Sequence, residues 1–214
     1  MAAGGFVNLT HISARKIAIE WDDNNLYALL CRRLSENGPF VTMLNIGNDY
    51  DRLFKATFPE QVDVGERRPT TWNWMLTRIQ DGNGTRPPRN LIDLVRQAQD
   101  AQLRKEERSP RWYVEGEPLI EGDSLKRGLE KMSVARVEDT LLAESGADAS
   151  LIERFRNGKA EHNLASLKTL LGTEGPETAI QRLREFGFLE ASGDSYRVPF
   201  LYRDGLGITQ GKGF

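Results

Sequence analysis

Cysteine and histidine are scarce in this chain: one thiol, Cys31, and two imidazoles, His11 and His162, in 214 residues. A lone thiol cannot close an intramolecular disulfide, and so few ligands, so far apart, build no zinc site of the Cys/His kind. Long apolar runs are missing too; none approaches the roughly 18 residues of a spanning helix. Met1-Ala-Ala-Gly-Gly-Phe6 has neither the basic start nor the apolar stretch of a secretory signal. Nor does one sign of charge dominate: 29 Lys+Arg stand against 31 Asp+Glu, a formal net charge of -2. No global field draws a polyanion, so any basic face has to be local. The expectations are a soluble cytoplasmic chain, no membrane and no metal site.

Catalytic signatures are equally sparse. A phosphate loop needs Gly-x-x-x-x-Gly-Lys followed by Ser or Thr, yet Gly158-Lys159 and Gly211-Lys212 are followed by Ala160 and Gly213. Ser-His-Asp and Cys-His arrangements are not signposted, so no catalytic residue is named. Cys31 lies beside a leucine stripe, which favours a buried small hydrophobe over a nucleophile. His162, beside Asn163, reads as a helix-start residue. The paired acids Asp22-Asp23 and Glu106-Glu107 suit capping and a solvated helix face.

What is present is mainly helix, in a length that allows one large or two small domains. Arg15 to Trp21 reads as a strand, and Asp22 to Asn25 as capping chemistry for a helix over 25–36 that Asn37-Gly-Pro39 stops. Helices are predicted over 49–57, over 72–80 with Trp72, Met75, Leu76 and Ile79 on one face, and over 89–108. The first half of the last buries Leu91, Ile92, Leu94, Val95 and Ala98; its polar second half is expected to project. Ser109 to Pro118 is the clearest composition break and places a domain boundary. Beyond it come an amphipathic stretch over 124–144 with breaks near Gly128 and Ser133, a turn or two over 150–156, and helices over 162–171 and 177–186. Gly187 then sits where a helix ends with positive φ, and 188–191 and 195–198 flank Ser192-Gly-Asp194 as two strands. The tail from Pro199 is glycine-rich, with no further helix expected. Helix, helix, glycine-ended helix and hairpin is the order of a winged helix-turn-helix. The predicted fold is mainly α with small β.

Two sets of residues have binding chemistry. Asp81-Gly-Asn-Gly-Thr-Arg-Pro-Pro-Arg-Asn90 puts Arg86 and Arg89 at a helix start, where backbone N–H groups and the macrodipole favour an anion and guanidinium forks suit phosphate. The alternative is a proline-ordered turn whose arginines pair with local acids. On the helix before the hairpin, Gln181, Arg182 and Arg184 could contact nucleic acid or a partner, with Arg197 on the second strand. The charge there is balanced: residues 150–214 hold nine Lys/Arg against eight Asp/Glu, and 113–149 hold nine acids against four bases. That gives DNA little electrostatic support, so a scaffold role is as well supported as DNA reading.

Three of these features together resemble the C-terminal half of a bacterial P-loop ATPase of the STAND/KAP-like, AAA-like kind that ends in a winged helix. They are Lys16-Ile-Ala-Ile-Glu-Trp21 with the helix from Leu26 to Leu34, the segment Pro88-Arg-Asn-Leu-Ile92, and the terminal Gly187-Phe-Leu-Glu190, Tyr196-Arg-Val-Pro199 and Leu201-Tyr-Arg203. The resemblance implies a remnant of ATPase core over 1–48, a helical lid-type bundle over 49–112 and a winged-helix module over 113–214. It gives Arg89 the "sensor 2" position that reaches the terminal phosphate of a nucleotide, with Arg86 as a neighbour. Lacking a phosphate loop, this chain alone would bind no cofactor; ATP and Mg²⁺ would come with a partner, an ATPase core domain or subunit. Ile17, Ile19 and Trp21 would then lie at a sheet edge. The other expectation is a free-standing winged-helix transcriptional regulator that binds DNA, with residues 1–113 sensing or dimerising.

Overall fold

Asp22 starts the first helix, its carboxylate accepting from the Asn25 backbone N–H at 2.7 Å. The computed structural model describes residues 21–47, 49–172 and 176–212. The predicted strand from Arg15 therefore falls outside the described residues except at Trp21, which is exposed. Helix α1 (Asp23–Ser35) buries Leu26, Leu30 and Cys31. Burial pushes the Cys31 thiol up to about 11, so it stays protonated and serves as packing. The reading of Asn37-Gly-Pro39 purely as a stop is corrected: the same residues open α2 (Gly38–Leu44). Asn37 caps it by accepting from Phe40 N–H, and Pro39 sits in the first turn, where a missing donor costs nothing.

Asp49 caps α3 (Tyr50–Thr57) and Thr70 caps α4 (Thr71–Ile79), both by side-chain acceptance from a backbone N–H. Leu53, Phe54, Trp74, Met75, Leu76 and Ile79 from this pair are buried. The long helix α5 (Pro88–Arg108) does not project its second half, contrary to expectation. It packs along α6 (Gly122–Arg136) with Ala101 and Gln102 buried. Gln102 accepts from Ser124 Oγ at 2.7 Å and from the Glu121 N–H at 3.1 Å. Gly128 is not a break in α6 but its closest approach to α5: a Cβ there would stand 2.6 Å from the Ala98 backbone nitrogen. Ser133 does not interrupt it either; its buried hydroxyl accepts from the Gly205 N–H at 2.9 Å.

After a π-helical turn over Val137–Leu141 come the short α7 (Leu142–Ser145) and α8 (Ala149–Glu153), then β1 (Lys159–Asn163). His162 is thus a strand residue, correcting the helix expected from 162. Its ring is buried edge-on to Phe155, with Nε2 at 2.9 Å from the Lys159 carbonyl oxygen and Nδ1 at 3.2 Å from Ser166 Oγ. Burial lowers its pKa. Asn163 ends the strand and caps α9 (Leu164–Leu171) through a capping box with Ser166. Helix α10 (Pro176–Glu185) follows, then Gly187 at φ +67°, β2 (Glu190–Ser192) and β3 (Ser195–Arg197).

The tail holds more structure than its glycines suggest: α11 (Phe200–Arg203) and β4 (Thr209–Lys212). Leu201 and Tyr202 bury, and the buried Arg203 guanidinium lies 3.9 Å over the Phe200 ring, donating to the Val198 carbonyl and Gln210 Oε1. Burial pulls its pKa down to about 10. The sheet order is β2-β3-β1-β4, with β1 antiparallel to β3 (His162 opposite Tyr196) and parallel to β4. The architecture is mainly helical with this small four-stranded sheet. One buried apolar cluster runs from Leu26 to Ile208, across position 112. Among the described residues no helix is long and apolar enough to cross a membrane.

Candidate functional site

The turn from Asp81 to Pro87 is built on one carboxylate. Asp81 Oδ1 accepts from the N–H groups of Asn83 and Thr85, both at 2.9 Å. Gly84 turns the chain at φ +80°, a conformation open to glycine at little cost. The turn also presses against the end of α10. Gly82 N–H donates to the Gly187 carbonyl at 2.6 Å, and Asn83 Nδ2 to that of Glu185 at 3.3 Å. A Cβ on Gly82 would meet backbone atoms of Gly187 and Leu189 at 2.8 Å, so this docking needs glycine.

Arg86 and Arg89 leave this turn in different environments. Arg86 Nε donates to Gln80 Oε1 at 2.8 Å, and its guanidinium forms an ion pair with Asp23 at the start of α1. Sequence reasoning missed both partners. Asp22 does the capping expected of the acid pair, which leaves Asp23 to reach a residue 63 positions away. Arg89 keeps 82% of its side chain exposed and, among the described residues, pairs with Asp93 alone, one turn on, at 3.6 Å. The helix start beside it offers few backbone donors, since Pro88 has no N–H and that of Asn90 donates to the Pro87 carbonyl. Buried Asn90 fixes the angle of the turn, its amide donating to the Ile79 carbonyl at 3.0 Å. Anion attraction there rests on the Arg89 guanidinium and the helix dipole.

The second set is largely neutralised in place. Arg182 pairs with Asp148 at 2.8 Å, Arg197 with Glu190 at 2.7 Å across the β2–β3 hairpin, and Gln181 donates to Glu185 at 3.0 Å. Arg184 is exposed and makes no ion pair among the described residues. The two sets approach each other at a cavity of about 160 Å³ lined by Gln80, Asp81, Glu190 and Arg197, with Arg78 stacked on Trp74 and Phe200 at its wall. Arg86 and Arg89 do not line it. A larger cavity of about 480 Å³ lies between α1, α2 and α5, walled by Leu30, Leu34, Phe40 and Ile92; it includes none of the predicted site residues.

Among the described residues no three His, Cys, Asp or Glu side chains gather closely enough to hold a metal ion. The exposed guanidinium of Arg89 fits a phosphate oxygen. Comparison with protein-family models, with curated proteins and with solved structures finds no match.

Proposed function

We propose that this chain is the regulatory lid and winged-helix portion of a P-loop ATPase, sensing nucleotide held by a phosphate-loop domain and passing that state to a partner or to nucleic acid. The observation that carries the reading is the state of Arg89. It stands at the start of a 21-residue helix, exposed, with one weak intrahelical contact, while its neighbour Arg86 is committed to Asp23. An arginine that, among the described residues, meets only Asp93 is free to take a phosphate oxygen, and the long helix behind it converts that contact into movement.

The module reading is supported by element order. A helix, β1, α9, α10 and the β2–β3 hairpin, with β3 lying between β2 and β1, follow the order of a winged helix, and β4 adds a parallel edge strand. The turn over Asp81 to Pro87 joins sensor and module, since its glycine docks on the end of α10. Coupling therefore needs no flexible linker. A free-standing DNA-binding regulator is the second reading; the acids that occupy Arg182 and Arg197 weigh against it.

Arg89→Ala tests the lid role in the chain reconstituted with its phosphate-loop domain. ATP hydrolysis should lose its dependence on this chain by tenfold or more, while circular dichroism and Tm stay unchanged because the side chain is exposed. Equal hydrolysis by the variant would end the sensor reading.

A further inference from the structure

A cluster of unpaired positive charge among the described residues lies on neither predicted site. It lies in the groove between the second half of α5 and the middle of α6. There Arg104, Lys105 and Arg108 from α5 and Arg127 and Lys131 from α6 border one concavity of about 460 Å³, with Glu130 as its single acid. Lys105 is taken by Glu121. The remaining four form no ion pair within 4.0 Å among the described residues, whereas Arg86, Arg111, Lys126, Arg156, Lys168, Arg182 and Arg197 all do.

Sequence spacing explains the arrangement. Arg104 and Arg108 are four residues apart on one helix, and Arg127 and Lys131 are four apart on the other. Each pair stacks on successive turns, about 6 Å apart along its axis. The close approach at Gly128 brings the two helices together, and buried Ala101 lies on the floor of the concavity. Four cations that remain unneutralised on a near-neutral protein repel one another, which makes the groove a receptor for several negative charges in a row.

We infer that the α5–α6 groove binds the phosphodiester backbone of a nucleic acid through Arg104, Arg108, Arg127 and Lys131. Two parallel rows of cations match a chain of evenly spaced phosphates better than a single carboxylate, and guanidinium forks suit phosphate oxygens. A planar headgroup surface meets protruding cations, whereas these border a concavity. The contact carries no base readout and is independent of Arg89, so it goes beyond the lid reading and survives its failure.

The test is fluorescence anisotropy of the full chain with a labelled 20-mer, single-stranded and duplex, across 50–300 mM salt. Four phosphate contacts give a log–log salt slope of about -3.6 on duplex. The variant Arg104→Gln/Arg108→Gln/Arg127→Gln/Lys131→Gln should bind at least tenfold more weakly at 50 mM salt and lose most of that slope. Arg182→Gln/Arg184→Gln/Arg197→Gln and Arg89→Ala should bind as the unaltered chain does. Thermal melts show that each variant is folded, and Arg104→Gln/Arg108→Gln alone, at about half the slope, replaces the quadruple variant if that one fails to fold. Three results would overturn the inference: no binding of either 20-mer by the unaltered chain at 50 mM salt, an equal loss in the α10 variant, or tighter binding to phosphatidylserine/phosphatidylcholine vesicles than to the 20-mers.

Discussion

The α5–α6 hairpin and the sheet-bearing region that follows it treat arginine in opposite ways. On α10 and the β2–β3 hairpin, Arg182 and Arg197 each meet a carboxylate, and Arg203 is folded inward over Phe200. Along α5 and α6, four cations border one concavity with a single acid, Glu130, and none of the four forms an ion pair among the described residues. Both regions come from sequence of near-neutral or negative local charge, so the count of charges says little about where a field survives. What decides it is whether folding brings an acid within a few ångströms. The regions also differ in how they are held. Both bury hydrogen-bonded polar side chains, Gln102 in the hairpin and His162 and Arg203 beside the sheet, but the two helices of the hairpin also meet at Gly128, where a Cβ would strike the Ala98 backbone.

That difference can be broken most forcefully at Gly128. A Gly128→Val side chain would meet the Ala98 backbone at distances no relaxation of a side chain relieves. We expect a loss of about 3 kcal/mol and a Tm lower by about 10 °C, measured by calorimetry. A Tm within a degree of the unaltered chain would show that the helices do not depend on this contact.

A smaller effect should appear with pH in the sheet-bearing region. Burial holds the folded pKa of His162 below its unfolded value of about 6.5. The unfolded chain therefore takes up the proton first as pH falls, so this stability is fully present above about pH 6.5 and is lost as pH drops toward the folded value. Denaturant midpoints at pH 8 and pH 5.5 should fall farther for the unaltered chain than for His162→Gln; parallel curves would remove His162 as the cause.

The mildest change sharpens the charge contrast itself. Asp148→Asn with Glu190→Gln frees Arg182 and Arg197 and should cost under about 1 kcal/mol per pair, as exposed ion pairs do. Nucleic-acid binding should then steepen in salt, by up to about one unit of slope for each freed guanidinium. An unchanged slope would mean that the acids are not what silences α10.

Much of the helical framework was legible because its signals are local. Asp22, Asp49 and Thr70 cap the helices whose starts they mark, and Gly187 takes the positive φ expected after α10. The errors arose where a residue answers to a distant neighbour. Gly128 looked like a helix break because glycine is a poor helix former, but its lack of Cβ serves the contact with Ala98. His162 looked like a helix start because Asn163 beside it is a good cap, and the strand before that cap was too short and polar to be recognised. The tail looked irregular because its helix and strand are held by contacts across the fold, Arg203 to the Val198 carbonyl and Gln210, and β4 to β1, that no local pattern announces.

By itself the sequence determined the helix starts marked by Asp22, Asp49 and Thr70 and the glycine-ended α10 with its hairpin, since each rests on residues adjacent in the chain. The tertiary structure alone decided that Arg86 belongs to Asp23 while Arg89 stays exposed, and that α5 lies along α6 instead of projecting. It also decided that four scattered basic residues share one groove. Electrostatic interaction between exposed charges is screened over about 10 Å of salt water, and distance in space is a property that only the folded chain possesses.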